Sequence, residues 1–165
     1  MAYELAQVNV ARLRAPLDSP VLGGFVAVVD PIGRLAEQSP GFVWRLVAGQ
    51  GHGVVTRADQ DAVLVVNVSV WQTYEALHAF AYRSAHGALV RRRAQWFLPV
   101  RQPSTALWWV SAGHRPDAED ALRRLALLRR YGPSSRSFSL RRRFTPEGQP
   151  VRPRTGRARR SPNQQ

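Results

Sequence analysis

Alternation and helical spacing divide the chain into a short series of elements. From Tyr3 to Leu13, Leu5, Gln7, Asn9 and Ala11 fall on one side and Ala6, Val8, Val10 and Arg12 on the other. That is a strand with one apolar face and one face carrying amides, which become pocket groups if they point inward. Asp18 or Ser19 then caps a helix whose first turn holds Pro20. It runs from Val21 to Glu37, with Leu22, Phe25, Val26, Val29, Ile32, Gly33 and Ala36 at three- and four-residue spacing. Pro31 lies inside this pattern and predicts a kink or a split. Phe42 to Val47 alternates again, with Phe42, Trp44 and Leu46 against Val43, Arg45 and Val47. Ala48 to Asp61, broken by Gly49, Gly51, His52 and Gly53, reads as loop. Ala62 to Val70 is apolar on both faces and so predicts a central, covered strand. Asn67 is its anomaly: it either holds a neighbouring loop or meets a ligand, since an unbonded buried amide costs roughly 1–3 kcal/mol.

Trp71 to Phe97 contains no proline and one glycine, so it predicts a mostly helical stretch with a break near Gly87. On a helix, Trp71, Glu75, His78, Tyr82, His86, Leu89, Arg93 and Trp96 share an arc of roughly 80°. That face is either packing against a sheet and a partner subunit or the wall of a pocket. Thr105 to Ser111 is a further strand, on which Trp108 and Trp109 must point to opposite faces. Asp117 caps a helix from Ala118 to Tyr131, with Ala121, Leu125 and Leu128 as its stripe and arginines at its end. Gly132-Pro133 stops it, and Ser137 to Leu140 allows one more short strand.

The resulting order, β–α–β–β–α–β with an extra C-terminal helix, predicts an α+β fold of the ferredoxin-like type: an antiparallel sheet with helices on one face. The other face, bearing Trp and Val, then needs a cover, and a second copy of the same sheet would make a homodimer. One domain is expected over residues 1–143, followed by a disordered Arg/Pro-rich tail over 144–165.

Composition narrows the chemistry. The absence of cysteine excludes disulfides and thiol nucleophiles. All 24 basic residues are arginine, and the lack of lysine removes Schiff-base catalysis. The net charge of +13 is uneven. Eight arginines against Glu147 lie from Arg141 onward, a solubilising stretch with at most weak nucleic-acid contact. No secretory signal or membrane span is visible, so a soluble cytoplasmic protein is the expectation. Phosphate loops, dinucleotide fingerprints and nucleophile elbows are absent. His78 and His86 stand about two turns apart, roughly 12 Å along a helix, too far to share one metal.

Five stretches in order carry a resemblance to a known family. They are Leu5-Ala-Gln-Val-Asn-Val-Ala-Arg, Ser39-Pro-Gly-Phe-Val-Trp-Arg-Leu, Asn67-Val-Ser-Val-Trp, Tyr82-Arg-Ser-x-His-x-x-x-x-Arg-Arg-Arg-x-Trp-Phe and Leu107-Trp-Trp-Val-x-Ala-Gly-His-x-Pro. From Ala2 to Leu140 the chain resembles a bacterial domain-of-unknown-function family, numbered thirty-two ninety-one. The resemblance implies a dimeric α+β barrel, the superfamily of antibiotic-biosynthesis-type monooxygenases and haem-using relatives. It implies no particular reaction.

Three functions remain open. One is a metal-free enzyme acting on an aromatic, phenol- or polyketide-like substrate, monooxygenase-like or an acid/base isomerase. His86 is then the proton-transfer group, with Tyr82 and Arg93 beside it. Arg83 or Arg93 holds an oxyanion and Asn67 polarises a carbonyl. Trp44, Trp71, Trp96 and Trp108 or Trp109 line the substrate pocket. The second is haem binding with His86 as axial ligand. The third is a non-catalytic binding module.

Overall fold

The computed structural model describes residues 2–48, 53–59, 62–83 and 93–152. Six strands form one sheet: β1 (Tyr3–Leu13), β2 (Phe42–Arg45), β3 (Val55–Asp59), β4 (Ala62–Trp71), β5 (Phe97–Leu98) and β6 (Thr105–Ser111). The helices are α1 (Gly23–Glu37), preceded by a 3-10 turn at Pro20–Leu22, α2 (Tyr74–Arg83) and α3 (Ala118–Tyr131). β1 and β4 are the centre, antiparallel over eight paired positions from Leu5↔Trp71 to Arg12↔Leu64. β6 and the short β5 pair with β1, and β2 and β3 share the outer edge of β4. This is the predicted α+β, ferredoxin-like arrangement, with its second strand divided into β2 and β3.

One face carries Ala6, Val8 and Val10 from β1, Val66, Val68 and Val70 from β4, and Ala106, Trp108 and Val110 from β6. Against it α3 lays Ala118, Ala121, Leu125 and Leu128, the three- and four-residue stripe of an amphipathic helix. Asp117 accepts from the Asp120 N–H to cap α3, and Gly132 at φ 76° ends it. The face predicted to be bare and covered by a partner sheet is thus covered by the chain's own helix. The physical reason for placing a second copy there is removed.

α1 and α2 lie on the opposite face, where two apolar clusters stand apart. One gathers Leu5, Trp71, Leu77, Leu107 and Phe138; the other gathers Leu13, Leu22, Phe25, Val65 and Trp96. α1 runs unbroken through Pro31, against the expected split. The loop expected from Ala48 to Asp61 contains β3, which forms a hairpin with β4. The mostly helical stretch expected from Trp71 to Phe97 is corrected at its ends: Trp71 ends β4, α2 covers Tyr74–Arg83, residues 93–96 are helical and Phe97 belongs to β5, while 84–92 lie outside the described residues. The start of α2 is held by Thr73, whose Oγ1 accepts from the Ala76 N–H.

Residues 144–152, assigned above to the tail, are packed. Phe144 bridges Pro150 around a turn closed by Thr145 and Gln149, with Gly148 at φ 85°. The Phe144 carbonyl accepts from Trp109 Nε1 at 2.7 Å, and the Phe144 ring lies 6.0 Å from that of Phe138. Residues 153–165 lie outside the described residues. Ending the chain after Arg143 is therefore expected to cost about 2–3 kcal/mol, for a lost bond and a half-buried ring. Thermal melting should then fall by roughly 4–12 °C. A chain ending at Arg152 should melt like the full one.

Candidate functional site

The sheet face under α1 and α2 changes character along its length. Between its two apolar clusters it is polar, because β1 and β4 place side chains of the same kind opposite each other. Gln7 pairs with Ser69 and Asn9 with Asn67, and Asn9 also faces Thr105 across β6. Cross-strand partners share a face at Cβ separations of about 5 Å, so these five form one polar patch. Above the patch is a cavity of about 640 Å³. Its roof is Phe25, Val29, Ile32, Gly33 and Ala36 from α1, and Leu77, Phe80 and Ala81 from α2. Trp71 and Phe42 close one end, and Phe97 lies at the other.

The polar floor is partly committed. Asn9 Nδ2 donates to Thr105 Oγ1 at 2.8 Å, and Ser69 Oγ accepts from Trp71 Nε1 at 2.9 Å. Gln7 and Asn67 make no side-chain hydrogen bond to another described residue, although each carries donors and acceptors toward the cavity. Asn67 therefore meets open space instead of a dry core, which resolves its anomaly on a covered strand. Two arginines, Arg45 and Arg93, also line the cavity, and among its described lining residues there is no Asp or Glu. No cluster of three metal-ligating side chains occurs among the described residues.

Of the residues expected at the site, Asn67, Trp71, Tyr82 and Arg93 line this cavity. Trp71 is buried, edge-on to Phe42 and stacked with Phe80 at 5.2 Å. Tyr82 is exposed and stacks on His78 at 4.4 Å. His78 in turn lies 5.6 Å from Tyr74, over which Arg143 is placed at 4.0 Å. Burial pushes the Tyr74 phenol above its ordinary range, against the opposing pull of Arg143. His86 and the Arg83 side chain lie outside the described residues.

The other four tryptophans are elsewhere. Trp44 packs with Val43 against the α3-side core. Trp96 sits beneath α1, beside Phe25 and over Gly24, where a Cβ would come within 3.3 Å of its ring. Trp108 is buried under α3 with Arg124 at 5.9 Å from its ring, and its Nε1 has no hydrogen-bond partner among the described residues. Trp109 does share the cavity's face but is roofed by Phe144 and its neighbours. The two adjacent tryptophans do face opposite sides, as alternation requires, yet neither reaches the cavity.

The site residue missed in the sequence is Arg45. Strict alternation from Phe42 would put Trp44 on the cavity face and Arg45 on the other. The pairing of β2 with β4 instead shifts between Phe42↔Trp71 and Trp44↔Val70. This bulge puts Val43 and Trp44 together on the α3 side and brings Arg45, opposite Ser69, to the cavity.

Several solved structures are distantly similar to part of this chain. A protein of unknown function from Nitrosomonas europaea is 13% identical, covers 70% of this chain and 94% of its own, and superposes with a TM-score of 0.43. A putative antibiotic biosynthesis monooxygenase from Bacillus cereus is 14% identical over 70% of this chain and 100% of its own, at 0.40. The ActVA-Orf6 monooxygenase of Streptomyces coelicolor, solved with nanaomycin D, is 13% identical over 70% and 91%, at 0.33. Likenesses this distant say nothing of this chain's chemistry. No curated protein sequence matches the chain. No helix among the described residues is long and apolar enough to cross a membrane. The family model of a domain of unknown function, DUF3291, matches residues 4–154, including the packed turn after Phe144, and the chain belongs to that family.

Proposed function

We propose that the protein binds a flat, oxygen-bearing aromatic molecule in the cavity between the sheet and the helices α1 and α2, and acts on it by acid/base chemistry. The observation that carries this reading is the cavity itself. Its 640 Å³ is in the range of small-molecule sites, and its apolar roof opposes a floor on which Gln7 and Asn67 leave amide groups uncommitted. Aromatic walls at Phe42, Trp71 and Phe80 suit a ring system, and floor amides suit its carbonyl or hydroxyl oxygens.

In this reading His86 takes a proton from the substrate, Arg93 stabilises the resulting phenolate or enolate, and Tyr82 stands at the same wall. Returning the proton to another carbon gives an isomerisation. With dioxygen as co-reactant, a phenol becomes a quinone, one oxygen atom enters the ring and the other leaves as water. Danthron, a dihydroxyanthraquinone, is a suitable binding probe, and calorimetry should show saturable binding of one molecule per chain. A reduced anthrone of the same ring size serves as a turnover probe, followed by its colour change to the quinone. His86→Gln should keep danthron binding within about twofold, since Gln retains hydrogen bonding, and should slow turnover by roughly 100-fold or more, the usual share of a proton-transfer group. A variant that turns over as fast as the parent removes His86 from the mechanism. Failure of danthron to bind the parent removes the cavity reading.

A further inference from the structure

Arg45 reaches the cavity through three separate features of the chain. The bulge in β2 reverses its direction, as described above. Gly33 makes room for it: a Cβ at that position would lie 2.5 Å from Arg45 Cζ and within 2.8 Å of both terminal nitrogens. α1 thus presents bare backbone where the guanidinium lies across it. Two acids of α1 then hold the head. Glu37 Oε1 accepts from Nε at 2.7 Å, and Asp30 lies 3.8 Å from Nη2. A helix-interior glycine lowers helix stability relative to alanine, and a bulge breaks a ladder, so both local departures act on the same side chain.

Arg45 lines the cavity. Its side chain is 19% exposed, whereas Glu37 and Asp30 are 45% and 51% exposed and therefore screened by water. Asp30 is also shared, with Arg34 at 2.6 Å on the outer surface of α1. Glu37 fixes Nε and leaves the terminal N–H groups of Arg45 without a close acceptor among the described residues. A planar guanidinium oriented by one carboxylate, with donors left over, is suited to grip a second oxygen anion.

We infer that Arg45 is a ligand-binding residue, and that it selects molecules bearing an ionised oxygen, a carboxylate or phenolate, at the edge that meets β2 and α1. This rests on the cavity reading above and adds the ligand's charge to it. The described lining of the cavity holds no Asp or Glu, and the acids nearest the guanidinium are its own partners, Glu37 and Asp30.

The test compares rhein, an anthraquinone carboxylic acid, with danthron, the same hydroxylated ring system without the carboxylate. At neutral pH the parent protein should bind rhein at least about tenfold more tightly, the effect of one charge-assisted hydrogen bond. Arg45→Met should bring the two affinities to within about threefold of each other. Gly33→Ala should do the same by displacing the guanidinium, and it decides the matter if Arg45→Met is unfolded by circular dichroism. Arg34→Met, on the exposed side of the same helix, should keep the preference. Equal binding of the two dyes to the parent overturns the assignment while leaving the cavity reading intact. A preference that survives both Arg45→Met and Gly33→Ala overturns it in favour of another cation such as Arg93. Binding of neither dye overturns the assignment together with the cavity reading.

Discussion

Trp71→Ala is expected to destabilise the protein by about 3–5 kcal/mol, lowering the melting temperature by roughly 6–20 °C. Trp71 is 1% exposed and is the last residue of β4. Its ring fills the corner where three elements meet, edge-on to Phe42 of β2 at 5.3 Å and stacked on Phe80 of α2. Truncation leaves a void next to an existing cavity, which the rigid sheet cannot close by collapse. Trp71→Phe isolates one component. It keeps a ring but leaves the buried Ser69 hydroxyl without the indole donor, and should cost about 1–3 kcal/mol. Calorimetric melting checks both. An alanine variant within 1 kcal/mol of the parent, measured by the same melting, would mean that the corner is not packed as described.

Asn67→Val is expected to act in the opposite way, with a large effect on binding and little on stability. Asn67 faces the cavity and its side chain bonds no described residue, so the substitution removes no side-chain hydrogen bond among the described residues. Valine also suits a strand better than asparagine. Stability should stay within about 0.5 kcal/mol of the parent or rise slightly. Danthron affinity should fall by roughly tenfold, because a ligand oxygen placed over valine is desolvated without a partner. Asn9 is the contrasting neighbour. Its amide is held by Thr105, so removing it should lower stability as well as binding. Chemical denaturation and dye titration on the same samples separate the two cases. A loss of several kcal/mol at Asn67 would show that it holds structure and not ligand.

How much of this was legible in the sequence depends on whether a pattern was local. β4, β6 and α3 were readable almost to the residue, because unbroken apolar alternation or a helical stripe with Asp117 and Gly132 at its ends has no competing reading. β3 was hidden. Val55-Thr-Arg-Ala-Asp59 is half polar and follows a glycine-rich stretch, and it becomes a strand only through its pairing with β4. The helix after β4 was started too early, at Trp71, for a geometric reason. A spacing of four keeps residues on one face of either a helix or a strand, so Asn67 and Trp71 share the cavity face although Trp71 is not helical. The tail boundary failed because Phe144 is a single aromatic in a basic segment, and its docking depends on the distant Trp109.

The candidate site was half legible for the same reason. The amides of β1 and Asn67 stood out as polar residues inside apolar strands, and they do form the floor. Trp44 and Arg45 were exchanged because period-two reasoning cannot detect a bulge. Gly33 was a visible signal, a glycine in the apolar stripe of α1, but its meaning appears only with Arg45 lying across it. Trp96 and Trp108 were taken for pocket walls because aromatic residues mark cores and sites alike, and sequence does not tell which.

The central claim is that a planar aromatic ligand lies on the amide floor between β1, β4 and the helices α1 and α2. A crystal structure of the full chain soaked with danthron tests it most directly. The account predicts ring density over Asn9 and Asn67, beneath Val29 and Ala36, with a dye oxygen within hydrogen-bond distance of the Asn67 or Gln7 amide. An empty cavity at saturating dye, or density seated only on the outer surface of α2 or α3, would contradict it.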